Sequence, residues 1–324
     1  MSSRPKVSVL IPTYNYARYL PEAIESVLSQ DITDFELIIS DDGSNDGSAE
    51  LLQRYATTDP RIRVQIQPVN LGMVANWNWC LQQARGEYIK FLFGDDRLSQ
   101  PQTLGKMVAM LDAHESASLA VCARHLIDEH SAIFDLWDDL GAEGLQRGYD
   151  VGRRCLLQTV NLVGEPSVVL LRASRTSRGF DPRLRQVVDL EMWCHLLETG
   201  DLVYTKEPLC QFRRHALQQT AANCALQVGQ REYHLLFDRY LDHYLPPDQP
   251  LSFRERKWLF MSTFRLQKDK KLHEVRPVTE LLMHKLGRAC YLGFWFLYRL
   301  VCPFQKLRRA WCKHVMHSLP ISRV

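Results

Sequence analysis

Short apolar runs alternate with longer stretches whose apolar positions recur at helical spacing, and this alternation organises the first part of the chain. Residues 7–12 (VSVLIP) read as a strand, and the following YNYARYLPEAIESVLSQ puts Leu20, Ala23, Ile24, Val27 and Leu28 on one helical stripe. Residues 35–40 (FELIIS) form a second strand ending at Asp41-Asp42-Gly43-Ser44, with a helix over 48–56. A third strand over 62–67 and a helix over 72–84 lead into a fourth strand, 88–93, which stops at Gly94-Asp95-Asp96. Such alternation predicts an α/β fold with a largely parallel sheet. Crossovers of one hand then align the strand carboxyl ends along one edge, where open α/β sheets bind ligands. Asp41, Asp42, Asp95 and Asp96 therefore belong to one cleft. Two adjacent carboxylates repel unless a cation or donor lies between them, so the pair at 95 and 96 suggests a divalent metal. The alternative is a Gly-Asp turn followed by a helix cap.

Downstream, Ser99-Gln100-Pro101 starts a helix whose buried face carries Leu104, Met107, Val108 and Leu111, and 118–123 reads as a fifth strand. The pattern fails over 130–150, a surface loop or hairpin in which Asp138 and Asp139 are expected in solvent. It returns at 168–171, at a helix over 190–197 and at a short strand over 202–205. From about Ala221 only helical signals remain, which divides the chain into an α/β domain, 1–220, and a helical region, 221–324. The aromatic run over 290–304 is interrupted by Arg299 and ended by Pro303; it falls short of the roughly 20 residues that cross a bilayer.

The composition, 46% hydrophobic and 24% charged over 324 residues, is that of a globular protein with room for one large domain and an appendage. The net charge of +3 hides an asymmetry: beyond Glu280 there is no acid but there are eight Lys or Arg. Together with Tyr291, Phe294, Trp295 and Phe296, this basic tail suits an anionic membrane surface as partner, the alternative being that its aromatics pack onto the preceding domain. The nine cysteines include no CxxC pair, so they are expected as reduced thiols in the cytoplasm, and the opening residues lack the apolar core of an export signal. No G-x-G-x-x-G follows the first strand and no G-x-x-x-x-G-K occurs, which disfavours dehydrogenases and P-loop enzymes. Residues 12–17 hold neither Gly nor Lys, unlike the phosphate loop of a sugar-phosphate nucleotidyltransferase.

VSVLIPTYNYARYLPEAIESVLSQ, FELIISDDGSNDGS and NLGMVANWNWCLQQARGEYIKFLFGDD together resemble the inverting glycosyltransferases of family 2, which have the GT-A fold; the match covers about residues 6–220. The resemblance implies a nucleotide diphosphate sugar donor, a glycan or lipid-linked glycan acceptor, a divalent cation (Mg²⁺ or Mn²⁺) and no nucleic-acid partner. Pro12, Thr13, Tyr14 and Asn15 match the nucleotide loop, with the Tyr14 ring on the base; Asp42 matches the base-binding acid, with Asp41 orienting the same loop. Asn70, Gly72 and Asn78 match the N-x-G element and the Asn beyond it. Gly94-Asp95-Asp96 matches the metal motif, making Asp96 the metal ligand and Asp95 a ribose or metal contact. Asp189, in Val188-Asp189-Leu190-Glu191, matches the catalytic base, with Glu191 in reserve, and it also suits a helix N-cap. Arg213, Arg214 and His215 match the closing element that approaches diphosphate and metal, and Gly164-Glu165-Pro166-Ser167 an acceptor-side loop. Trp77, Phe93 and Val188 depart from the family pattern, where Arg, an acid and Glu are usual. They leave open a nucleotide-sugar binding protein without turnover.

Overall fold

In the computed structural model the described residues are 4–215, 218, 228–246, 248–267 and 293. The chain divides into two compact units, 1–245 and 246–324. The boundary expected near residue 220 and the basic aromatic tail both lie outside the described residues.

Four β-α steps open the first unit. They are β1 (Val7–Thr13) and α1 (Leu20–Leu28), β2 (Phe35–Asp41) and α2 (Ser48–Ala56), β3 (Ile62–Ile66) and α3 (Met73–Gln83), then β4 (Tyr88–Phe91), the two-residue β5 (Arg97–Leu98) and α4 (Thr103–Asp112). β1, β2 and β4 are buried along their whole length because both sheet faces are covered, which is why they read as unbroken apolar runs. β1 pairs in parallel with β2 on one side and β4 on the other, so Thr13 stands opposite Asp41 at the carboxyl edge. β4 stops at Phe91, short of the expected Phe93, because the Phe93 N–H turns out of the ladder to Ser167 Oγ at 3.1 Å.

The remainder of this unit comprises β6 (Ala117–Ile127), β7 (Ile133–Trp137), β8 (Gly144–Gln146), α5 (Gly148–Gln158), β9 (Val169–Arg172), α6 (Val188–Leu197), β10 (Asp201–Arg213) and α7 (Val228–Tyr244). The sheet order is β3-β2-β1-β4-β9-β6-β10-β5, with β7 on β6 and β8 on β10. β9 is antiparallel to β4 and β6, whereas β6 and β10 are parallel to each other. The result is the expected α/β architecture with a mostly parallel sheet. It carries one correction, since β10 is a long bulged strand instead of the four residues expected; over 130–150 the hairpin alternative holds, with β7 returning antiparallel against β6 and β8 and the start of α5 beyond it. Asp138 and Asp139 are exposed, as expected, and each also accepts a bond, Asp138 from the Tyr204 hydroxyl at 2.6 Å and Asp139 from the Arg124 guanidinium at 3.0 Å.

In the second unit, α8 (Phe253–Gln267) starts at a capping box, in which the Glu255 carboxylate accepts the Ser252 N–H at 2.8 Å. No helix long and apolar enough to cross a membrane occurs among the described residues.

Candidate active site

The loops after β1 and β2 meet at the carboxyl edge and are stitched together by short polar bonds. Asp41 accepts the Ser44 hydroxyl and N–H at 2.5 and 3.0 Å, and Ser44 Oγ in turn accepts the Asn15 N–H at 2.7 Å. Asn15 sits in the left-handed region at φ 57° and accepts the Asn45 N–H at 3.0 Å, so it shapes the loop. Pro12 and Thr13 are buried at the end of β1 while Tyr14 is 47% exposed, leaving its ring available to a ligand. Asp42 is buried, and its two oxygens accept the N–H groups of Leu71 (2.6 Å) and Gly72 (3.0 Å). Gly72 can present that N–H because its φ of 88° suits glycine. Burial raises the proton affinity of Asp42 against the lowering pull of those two bonds. Each oxygen keeps a lone pair for a ligand donor.

Asn78 is spent differently from the expectation. It accepts the Phe180 N–H at 2.8 Å and donates to the Phe180 carbonyl at 2.9 Å, clamping the segment before α6 instead of facing a ligand. Trp77 and Phe93, two of the departures from the family pattern, stand against each other with ring centroids 4.8 Å apart. An aromatic pair thus occupies the place where the family pattern has a charged pair.

At the end of β4, Gly94 lets the chain pass close to β1, since a Cβ there would lie 2.8 Å from Thr13 Oγ1. Asp96 then points inward: it is 1% exposed, and its oxygens accept the Ser167 hydroxyl (2.5 Å) and the Arg213 N–H (2.9 Å). Burial, with the neighbouring charge of Asp95 second, pushes its carboxyl well above the usual range. Each Asp96 oxygen thus has one protein donor and keeps one lone pair, as the oxygens of Asp42 do. Asp95 Oδ2 lies 3.1 Å from His215 Nε2. The His215 ring is flanked by Tyr16 and Tyr19, which the sequence reading did not single out, and its Nδ1 has no partner among the described residues. Two atoms on adjacent vertices of an octahedron with bonds of about 2.1 Å stand roughly 3 Å apart, so this N/O pair fits one edge of a divalent-ion site. Among the described residues no cluster of three potential ligands occurs, which leaves the remaining positions to a ligand and water.

Arg213 binds to both acids. Its side chain is fully buried, donating to the Asp95 carbonyl (2.7 Å), the Asp128 carbonyl (2.9 Å), Ser131 (2.9 Å) and Glu22 (3.0 Å). It frames the acids. Ser167, on the turn before β9, links the β4 edge to the opposite wall through Asp96.

That wall carries α6. α7 supports its start through Glu232, whose carboxylate accepts the N–H groups of Arg185, Gln186 and Val187 at 2.7, 2.8 and 3.0 Å. Asp189 is in the first turn, where it accepts the Leu190 N–H (2.7 Å) and an N–H of Asn161 (2.9 Å). Burial raises its pKa to about 7, and the charge of Glu165 adds to the rise. Glu191, two residues on, is 2% exposed and surrounded by Arg178 (2.7 Å to each oxygen), Arg239 and the Tyr240 hydroxyl (2.6 Å). These partners hold its carboxyl below the usual range although burial acts the other way. So occupied, Glu191 is a weaker proton acceptor than Asp189.

A sequence profile of glycosyl transferase family 2 matches residues 8–143. The chain is 35% identical over 210 residues to EpsE of Bacillus subtilis (strain 168), described as a glycosyltransferase, covering 62% of this chain and 69% of EpsE. In fold it is similar to S. aureus TarS 1–349, solved in complex with UDP-GlcNAc (TM-score 0.60, 15% identity, 88% of this chain and 89% of that one). It is also similar to the mannosyltransferase PcManGT from Pyrobaculum calidifontis, solved with GDP-Man and Mn²⁺ (TM-score 0.54, 16% identity, 94% of this chain and 84% of that one). The doubly covered sheet, the acids along its carboxyl edge and the 35% identity to EpsE lead to one conclusion: the chain belongs to glycosyl transferase family 2, with the GT-A fold.

Proposed function

We propose that this glycosyltransferase moves a sugar from a nucleotide diphosphate donor to a hydroxyl of a glycan or lipid-linked glycan with inversion, and that Asp189 is the general base. The observation that carries the reading is Asp189 itself: burial raises its pKa to about 7, and among the described residues its hydrogen-bond partners, the Leu190 N–H and the Asn161 amide, are neutral. A base of that affinity takes the acceptor proton efficiently near neutral pH. The acceptor oxygen attacks the anomeric carbon as its proton passes to Asp189, the bond to the diphosphate breaks on the opposite face, and a single displacement inverts the centre. Asp42 and the Tyr14 ring serve the base of the nucleotide. Asp95 and His215 would hold a divalent cation, which supplies charge compensation to the departing diphosphate. The ligands in the TarS and PcManGT structures support a nucleotide-sugar donor, and the Mn²⁺ of the latter supports a cation. The acid-free tail beyond Glu280 supports an anionic membrane surface as the place where a lipid-linked acceptor is met.

The test is a thermal-shift screen of UDP-, dTDP- and GDP-sugars with Mn²⁺ or EDTA, followed by NMR of the anomeric configuration of the product. Stabilisation that needs Mn²⁺ and an inverted product support the reading. A retained configuration or full turnover in EDTA contradicts it. Donor binding with no release of sugar would favour the binding protein that Trp77 and Phe93 leave open.

A further inference from the structure

Asn161 is the side chain hydrogen-bonded to Asp189 among the described residues, and its amide has no capacity left. Its Oδ1 accepts the N–H groups of Val163 (3.2 Å) and Gly164 (3.0 Å), while its Nδ2 donates to the Gly164 carbonyl (3.0 Å) and to Asp189 Oδ2 (2.9 Å). Two donors and two lone pairs are therefore all satisfied. Because backbone N–H groups occupy Oδ1, the amide cannot be turned over, and its NH₂ must face the acid. The corner is tied back to the helix that bears Asp189: Gly164, at φ 102°, accepts the Trp193 indole N–H at 2.9 Å. The same segment continues to Ser167, which holds Asp96, so residues 161–167 touch an acid on each side of the cleft.

A carboxylate's terminal torsion is broad and settles only where a partner fixes it. We propose that Asn161 is the positioning residue of the transfer reaction, locking the Asp189 carboxylate in the one orientation that meets the acceptor hydroxyl. The inference rests on Asp189 being the base. Glu165 faces Asp189 from the same segment, raising its proton affinity, and is itself paired with Arg124 of β6 at 2.8 Å. Glu191 on α6 turns to Arg178 and Arg239, and Glu232 on α7 is occupied by backbone N–H groups. Asn161 thus opposes the rise set by burial and Glu165.

The experiment follows hydrolysis of whichever nucleotide-sugar the thermal-shift screen selects, with water as acceptor, as kcat against pH in the full chain. Asn161→Ala is expected to leave donor Kd within about twofold, to lower kcat about 10-fold by misplacing the base, and to move the acid limb to higher pH. Asn161→Asp keeps the Oδ1 contacts to Val163 and Gly164 but sets a second carboxylate against Asp189. It is expected to fall below Asn161→Ala at pH 7, with a larger shift of the limb. Added to Asp189→Asn, either change is expected to lower the residual rate less than about twofold, because coupled residues are not additive. Rescue by Asn161→Asp, or an unmoved limb with a loss that persists in the Asp189→Asn background, would overturn the inference and leave Asn161 a loop brace. Full turnover of Asp189→Asn would instead remove the base assignment, and the positioning role with it.

Discussion

The donor edge and the acceptor wall hold their acids by different means. On the donor edge, from β1 to β4, Asp42 is fixed by two backbone N–H groups and Asp41 by its own turn. On the acceptor wall, Asp189 is fixed by the amide of Asn161, and Glu191 by two arginines and a tyrosine from α7 and the loop before α6. Backbone donors favour the ionised form of the acid they hold, which suits binding. A desolvated acid whose partners, the Leu190 N–H and the Asn161 amide, are both neutral keeps its proton affinity high, which suits a base. The contrast between Asp189 and Glu191 shows how much the surroundings decide: one helical turn carries both acids, and their proton affinities are driven in opposite directions.

The comparison is broken or sharpened by graded changes. The largest effect is expected from Asp189→Asn, which should lower turnover about 10²- to 10⁴-fold, the range for loss of a general base, and leave donor affinity nearly intact. In the wild type, turnover should rise with pH through about 7, since the base must be ionised. Stability carries the opposite sign. A carboxyl whose pKa is raised on folding costs nothing while both states hold the proton, and its ionisation opposes folding as pH climbs from the unfolded value, about 4, to the folded one. Asp189→Asn should therefore raise the urea midpoint more at pH 8 than at pH 5. Equal midpoint shifts at the two pH values would show that Asp189 is not the desolvated acid described.

Glu191→Gln is expected next, chiefly in stability. Removing one partner of a buried ion pair costs about 3–5 kcal/mol, and roughly 2 kcal/mol remains after discounting for arginines that are a third exposed. A variant that melts normally but turns over a hundredfold more slowly would make Glu191 the base. Tyr14→Ala should weaken donor binding by about 1–3 kcal/mol if the ring stacks on the nucleobase, read by titration calorimetry. The smallest change, Asp42→Ala, is expected to weaken donor binding about 10-fold, more for uracil or thymine donors than for guanine, consistent with loss of one hydrogen bond to a charged group. Equal loss across bases would remove the assigned contact.

How much of this was legible in the sequence follows the same division. The donor edge could be read because its contacts are local or follow from strand order: Asp41 bonds to Ser44, and crossovers of one hand align Asp42 with Asp95. Over 130–150 the hairpin could not be told from a loop because Ile133, Phe134 and Leu136 of β7 are exposed on both faces, leaving no alternation to read. β10 was cut short by the bulges around Pro208. α5 carries two glycines against helix propensity; Gly152 is required because a Cβ would stand 2.4 Å from the Tyr244 ring. Asp96 and Asp95 could not be ranked from sequence, since what separates them is Ser167, Arg213 and His215, all remote in the chain. Asn161 had one available signal, an Asn shortly before the Gly164-Glu165-Pro166 turn, and that is too common to mark a partner of Asp189.

The central claim is that the donor edge binds and the acceptor wall catalyses. It is tested most directly by measuring donor Kd and saturated turnover side by side for Asp42→Ala and Asp189→Asn. The account predicts a crossed result: Asp42→Ala loses affinity and keeps turnover at saturating donor, while Asp189→Asn keeps affinity and loses turnover. If Asp189→Asn weakens donor binding by as much as it slows turnover, the acid on the acceptor wall is part of the binding site and the division fails.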